Sequence, residues 1–239
     1  AGIERVEVLT GPNAAVFGRG EPGGSVNLVT KQPSFESAGS VNIRIGEFEL
    51  YRGEIDWTGP IVDERLAVRL IGFAEEAGSF RDTVQSQRHG FYPSVLLRFS
   101  DSTSLTYELE ATRQEVPFDR GVVSIAGALD ALPASRFLGE PGDGPLRAEV
   151  LGHQLQLQHD ISEAWSLLLG AGWRETDLEG SSSEPELAAS RQRLFVDGRT
   201  LSRQFRFRDY EAEHMVVRAE LAGRFEAFRS EEHTSELQS

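Results

Sequence analysis

Residues 105–112 read LTYELEAT, with Leu105, Tyr107, Leu109 and Ala111 alternating against Thr106, Glu108, Glu110 and Thr112. A period of two is the mark of a β-strand whose two faces meet different surroundings. The polar face carries two glutamates, so it makes no sense as the buried side of a greasy sandwich. It suits a wet lumen, or one filled by something polar. The pattern repeats in both directions. Val41, Ile43 and Ile45 alternate with Ser40, Asn42 and Arg44, and Tyr51, Ile55 and Trp57 with Arg52, Glu54, Asp56 and Thr58. Leu66, Val68 and Leu70 form a third set, whose polar face is blurred by Ile71 and Phe73; Phe91, Val95, Leu97 and Phe99 form a fourth. After the opening stretch come Leu151, Leu155 and Leu157 against Gln154, Gln156 and Gln158, then the row Trp165, Leu167, Leu169, Ala171 and Trp173. The last set is Met215, Val217, Ala219, Leu221 and Phe225 against Arg218, Glu220 and Arg224.

These eight stretches are near or above the ~9–11 residues that a tilted strand needs to cross a bilayer. Strands of soluble sheets average about 5–6. Short links (59–64, 100–104, 160–164) alternate with long ones (78–88, 115–149, 177–209), and only 47–50 is short where a long one is due. Short turns on one side and long loops on the other are the pattern of an outer-membrane barrel. Trp57, Phe99, Trp165, Trp173 and Phe225, near strand ends, suit the aromatic girdles at the two interfaces. The fold class expected is therefore all-β, a transmembrane antiparallel β-barrel.

Composition agrees by exclusion. The 239 residues are 39% hydrophobic and 26% charged. The best apolar run, 164–173, already contains Ser166, Gly170 and Gly172, far short of the ~18 continuous apolar residues of a spanning helix. Acidic residues outnumber basic ones, 38 to 24, for a net charge of −14. A nucleic-acid partner is not expected, because binding phosphates requires Lys and Arg to displace counterions. There is no cysteine, hence no disulfide and no thiolate metal site.

Ahead of the first barrel strand lies a glycine-rich segment, IERVEVLTGPNAAVFGRGEPGGSVNLVTKQP, residues 3–33. Gly18, Gly20 and Gly23 spell G-x-G-x-x-G, the dinucleotide fingerprint. That fingerprint needs a helix after the glycines to hold the pyrophosphate, whereas here Pro22 interrupts the loop and SVNLVTK (25–31) is β-prone. Tight turns between short strands account for the glycines better.

The segment closely resembles the end of the plug domain of TonB-dependent outer-membrane receptors, whose pattern runs ERVEVLRGP…YGxGxPGGxVNxVTKxP. The plug signature is matched at Gly11, Pro12, Gly18, Gly20, Gly23, Gly24, Asn27 and Lys31, among others. VPFDRGVV (116–123) and LPASRFLGEP (132–141) resemble the third extracellular loop of the ferric-siderophore receptors in that family, and WTGPI (57–61) fits a barrel turn. The resemblance implies a plug inside a 22-stranded barrel, the size class with a plugged lumen, with about eight of those strands present here. It divides the chain into the C-terminal part of a plug (1–36) and the N-terminal part of the barrel (37–228). It implies a bacterial outer-membrane receptor that binds ferric siderophore and imports it to the periplasm, using energy from the TonB complex through a box upstream of this piece. Iron enters only as the siderophore chelate, no cofactor is implied, and no covalent chemistry occurs. Receptors for another scarce ligand (a cobalamin or a glycan), a passive porin and an adhesive barrel are the alternatives. The loop resemblance argues against the first and the plug segment against the other two.

Thr10 stands where the family usually has an arginine that joins plug arginines to barrel glutamates, and a hydroxyl cannot make bidentate charge-assisted bonds to a carboxylate. Glu4 and Arg5 are candidates for plug–barrel electrostatic contacts. Arg19, at the tip of the glycine turn, and Asp119 and Arg120, in the third loop, are candidates for ligand contact or loop gating, with a local ion pair between Asp119 and Arg120 as the plainer reading. Glu108 and Glu110 read as lumen wall rather than as an acid–base pair. The histidines show no ligand spacing, and no metal site is expected. The last residues, RSEEHTSELQS (229–239), break the pattern and resemble the translation of a DNA-sequencing library adapter. They are read as a non-native tail. A piece with unpaired edges is expected as a curved, incomplete sheet with the plug piece against its concave side, not as a closed barrel.

Overall fold

The computed structural model describes residues 1–10, 24–124, 128, 130–186, 200–227 and 230–238. Two antiparallel sheets account for the strands. The small one pairs β1 (Ile3–Thr10) with β2 (Gly24–Thr30), from Ile3 opposite Thr30 to Thr10 opposite Gly24. Gly24 has φ +129°, and a Cβ there would lie 2.2 Å from the Leu9 carbonyl oxygen, so this close approach admits glycine alone.

Among the described residues the large sheet is a meander of nine strands in which each pairs only with its sequence neighbours. Its members are β3 (Ala38–Gly46), β4 (Leu50–Val62), β5 (Leu66–Ala77), β6 (Ser86–Ser100), β7 (Thr103–Val116), β8 (Leu146–Ser162), β9 (Trp165–Pro185), β10 (Arg203–Ala227) and β11 (Ser230–Gln238). The eight expected strands are β3 to β10. The ninth comes from the tail: Ser230 pairs with Ala227 and Gln238 with Ala219. As expected of a piece, the sheet is open, with β3 and β11 as its edges among the described residues.

Register turns the sequence alternation into two continuous surfaces. Leu66, Leu97, Leu105, Leu157, Leu169 and Ala219 stand in one row across six strands. Val68, Val95, Tyr107, Leu155, Ala171 and Val217 form the next row. Because side chains alternate with a period of two, these rows share one face, and much of it is bare: Ile43 is 78% exposed and Met215 76%. An apolar surface this broad on a protein is covered by lipid or by another chain. The opposite face carries Asp56, Arg69, Glu108 and Gln156. Among the described residues the buried apolar side chains are few, Ala67, Ile71 and Leu146. The structure is a wall, not a globule, and Ile71 and Phe73, which blurred the third strand, sit with Ala67 on the inner side of that wall, in the strand that the plug piece contacts through Arg69.

The strands outrun the sequence reading on one side. β9 continues to Pro185 and β10 begins at Arg203, so the two ends of the stretch expected as a loop, 177–185 and 203–209, are paired strands rising past the apolar belt. There both faces carry polar side chains, and on β9 no apolar period survives to announce a strand. The belt ends sharply: Trp173 faces Met215, but the next outward pairs are Glu175–Glu213, Asp177–Glu211 and Glu179–Asp209.

If the outward face meets hydrocarbon, Leu157→Arg in the intact receptor should cost about 2–4 kcal/mol of folding free energy in bilayers. Gln158→Arg, one residue on and facing inward, should cost far less. Denaturant titration of both variants in lipid vesicles measures the difference.

Candidate functional site

Two polar clusters stand out on the inner face, one toward each end of the strands. The first joins the plug piece to the wall. Asp56 on β4 faces inward beside Arg69 on β5, which grips it with two bonds, Nε to Oδ1 and Nη2 to Oδ2, each 2.8 Å. Lys31, just past the end of β2, brings its Nζ to the same Oδ2 at 2.8 Å. Arg69 also donates to the Gln32 carbonyl at 3.0 Å, and Gln32 Nε2 reaches Glu108 Oε1 at 2.7 Å. Ser34 N donates to Thr58 Oγ1 (2.8 Å), and the Arg98 guanidinium lies 4.4 Å above the Phe35 ring. Asp56 is only 6% exposed. A carboxylate so placed is tolerable because two cations surround it, and removing it would strand both.

Lys31 of the plug signature thus has a definite role, and Glu108, read as lumen wall, meets the plug. Asn27 works inside the plug sheet, where its Nδ2 donates to Glu7 Oε2 (2.8 Å). Glu4 and Arg5, the residues expected to touch the barrel, also stay within that sheet: Arg5 Nε donates to Glu7 Oε1 at 2.8 Å and its Nη1 lies 3.9 Å from Glu4. In the described residues the contact with the wall passes instead to Lys31 and Gln32, beyond the strand. Gly11, Pro12, Gly18, Arg19, Gly20 and Gly23 lie outside the described residues.

The second cluster holds the long connection between β7 and β8, residues 117–145. Asp119 and Arg120 do not form the local pair expected of them; they turn to opposite sides. Asp119 accepts from Arg81 Nε, in the β5–β6 link, and from Gly121 N, both at 2.8 Å. Arg81 also donates to the carbonyls of Ala134 and Arg136, and Asp82 N to that of Ser135 at 2.7 Å. Arg120 Nε sits 2.7 Å from Glu184 Oε2, on the far end of β9. Glu184 is 1% exposed. Its Oε1 accepts from Ser182 Oγ (2.7 Å) and from Arg208 Nη2, while Arg206 Nε stands 3.8 Å from Oε2. Phe118 lies beneath both Arg208 (4.5 Å) and Arg120 (5.7 Å). Arg203 closes the seam, donating to the Gly139 carbonyl (2.7 Å) and to Glu140 Oε2 (3.0 Å). The connection is stitched across the mouth of the wall from β5 to β10. Glu184 and its arginines were missed in the sequence because 177–209 read as a loop, although FRFRD (205–209) carries a period-two signal of its own.

Comparison with known proteins places this architecture. No protein-family model matches the chain. It is 38% identical over 224 residues to the metal-pseudopaline receptor CntO of Pseudomonas aeruginosa (strain UCBPP-PA14), an alignment covering 93% of this chain and 31% of that protein. The ferrioxamine B receptor of Salmonella typhimurium (strain SL1344) is 36% identical over 104 residues, 43% of this chain and 15% of the relative. Among solved structures, the open form of the ferric-catecholate import receptor Fiu from E. coli K12 superposes with a TM-score of 0.86 at 22% identity, over 98% of this chain and 38% of that one. The chain belongs to the TonB-dependent outer-membrane receptors. It spans about a third of the length of the first curated relatives it matches, 31% in each case. The pyoverdine outer-membrane receptor FpvA from Pseudomonas aeruginosa PAO1, bound to pyoverdine, shares the same fold with a TM-score of 0.83 at 18% identity, over 97% of this chain and 34% of that one.

For a TonB-dependent receptor the two clusters have separate consequences. Asp56→Ala leaves Lys31 and Arg69 without their carboxylate and should weaken the hold of the wall on the plug end by about 3–5 kcal/mol. Limited proteolysis of the intact receptor should then cut residues 31–37 sooner than in the wild type, with the barrel core unchanged. At the mouth, burial pushes the Glu184 carboxyl up. Hydrogen bonds from Arg208 and Ser182, with the charges of Arg208 and Arg120, outweigh it and hold the group below the usual glutamate range. A depressed carboxyl stabilises above its unfolded value and loses that contribution as pH falls through the folded one. Amide exchange at 118–124 should therefore stay slow from neutral pH down through the ordinary glutamate range and rise only in stronger acid. In Glu184→Gln it should already be fast at neutral pH.

Proposed function

We propose that the receptor to which this chain belongs binds a ferric siderophore on the extracellular side and imports it to the periplasm, with energy supplied by the TonB complex. The observation that carries this reading is the plug end fastened to the polar inner face through Lys31, Gln32 and Asp56. A passive pore gains nothing from a lumen so filled, whereas a receptor that holds its cargo until energised needs the filling. The bare apolar face and the belt between Trp165 and Trp173 suit the bacterial outer membrane, with lipid as the surrounding partner. The chain is part of a receptor and not of an enzyme: the cargo is moved, not transformed, and iron travels within its chelate.

A second reading has one observation in its favour. The relative that is 38% identical over 93% of this chain is called a metal-pseudopaline receptor, a name that does not restrict the metal to iron. The cargo would then be the chelate of another metal.

Deletion of the full gene tests both. Under iron starvation the deletion strain should fail to grow on at least one ferric siderophore supplied alone, and recover with the gene restored. Growth equal to the parent on every iron chelate, with uptake of another metal from its chelate lost, would transfer the conclusion to the second reading. Growth and metal uptake unchanged throughout would remove both.

A further inference from the structure

The cluster at the mouth holds its arginines unequally. Three guanidiniums, those of Arg120, Arg206 and Arg208, converge on Glu184. Glu186, two residues on and 7% exposed, brings a second carboxylate to this strand end, and Asp143, which accepts from Ser183 N, a third. Only Arg208 is fully committed, bonded to both Glu184 and Ser182 and 12% exposed. The contact from Arg120 Nε to Glu184 Oε2 is short, yet Oε2 accepts no aligned hydrogen bond. Among the described residues neither Arg120 nor Arg206 donates a hydrogen bond to a protein acceptor. Their side chains are 31% and 44% exposed.

Register decides which way these donors face. β9 and β10 pair without a shift from Arg203 opposite Pro185 to Gly223 opposite Trp165. Arg206 and Arg208 therefore share the face of Arg218, inside the wall, while Asp209, Glu211 and Glu213 share the outer face of Met215. The hairpin above the membrane is thus polarised, with arginine toward the mouth and carboxylate away from it. At ~3.3 Å per residue, Glu184 lies roughly 35 Å along β9 beyond Trp173, at the level where an incoming chelate first meets the wall. The Phe118 face beneath the arginines supplies an apolar floor.

A guanidinium with free, fixed donors matches the plane of a carboxylate and binds it by two parallel bonds. We infer that Arg120 and Arg206, floored by Phe118 and held in place by Glu184, form an entry subsite for the carboxylate groups of a metal chelate, so that the receptor favours carboxylate-bearing chelates over hydroxamate ones. The inference rests on the proposed import of a metal chelate and specifies the chemical class of that cargo.

The test uses the purified full-length receptor and two probes, ferric citrate and ferrioxamine B, with binding followed by quenching of tryptophan fluorescence. Wild type should bind the carboxylate chelate, and Arg206→Gln and Arg120→Gln should each weaken that binding about tenfold or more. Arg206→Gln should leave binding of the hydroxamate chelate unchanged, if wild type binds it at all. Arg206→Lys, which keeps the charge without the fork, should recover only part of the loss. Heat-modifiable migration on gels reports that each variant keeps its barrel, and Arg206, whose contact with Glu184 is the long one, is the variant least able to disturb the loop. Unchanged affinity for ferric citrate in both variants would overturn the subsite, and so would wild type binding only the hydroxamate chelate. Failure of wild type to bind any metal chelate would instead remove the import reading beneath it.

Discussion

In hydrocarbon there is no water to satisfy a peptide group, so every backbone N–H and C=O at membrane depth has to find another strand. The ladder from β3 onward, each strand paired with the next, is the direct answer to that requirement, and the rest of the structure depends on it. A ladder of antiparallel neighbours needs only short turns at one end, which is what 63–65, 101–102 and 163–164 provide. It also forces side chains to alternate between two environments. One face must be apolar for lipid, and the residues left over, half of each strand, must face something that tolerates Asp56, Glu108 and Arg174. That necessity makes a wet or filled interior, and the plug piece is the filling.

The two inner clusters divide the labour along the strand direction. Near the short turns, Asp56 couples the end of the plug to β4 and β5, with Gln32 extending the contact to β7. Near the far ends, Asp119 and Arg120 tie one long connection to both flanks. Adjacent residues with opposite charge could have neutralised each other. By turning apart they instead span the mouth between β5 and β9, which holds the connection as a brace across the wall. Both clusters rely on the same economy: a nearly buried carboxylate is retained only because more than one cation surrounds it.

How much of this was legible in the sequence follows from where period-two alternation exists. Leu105 to Thr112 and its counterparts betray their strands because one face meets lipid and the other does not. ETDLEGSSSEP, 175–185, is just as much a strand, yet both of its faces are polar and it reads as loop. The plug strands were visible from Val6, Val8, Val26 and Val29 beside their glycines. Which plug residues touch the wall was not visible. Lys31 and Asp56 are 25 positions apart, and nothing local distinguishes Lys31 from Arg5 as the partner; only the register of β4 against β5, with the path of the chain after Thr30, makes the choice. Glu184 was hidden for the same reason, since its partners arrive from two other segments. The divergence of Asp119 and Arg120 likewise depends on Arg81 and Glu184 lying on opposite flanks, which neighbouring letters do not encode.

The central claim is that odd-numbered residues of β7 face lipid and even-numbered ones face a filled interior. The chain has no cysteine, so single cysteines can be placed one at a time at 104–112 in the full receptor within membranes. Each is then exposed to a water-soluble maleimide and, separately, to a lipid-phase quencher after labelling with a fluorophore. The account expects quenching by lipid to peak at 105, 107, 109 and 111, with aqueous labelling, where the plug allows it, confined to the even positions. Uniform labelling along the strand, or the opposite phase, would contradict it.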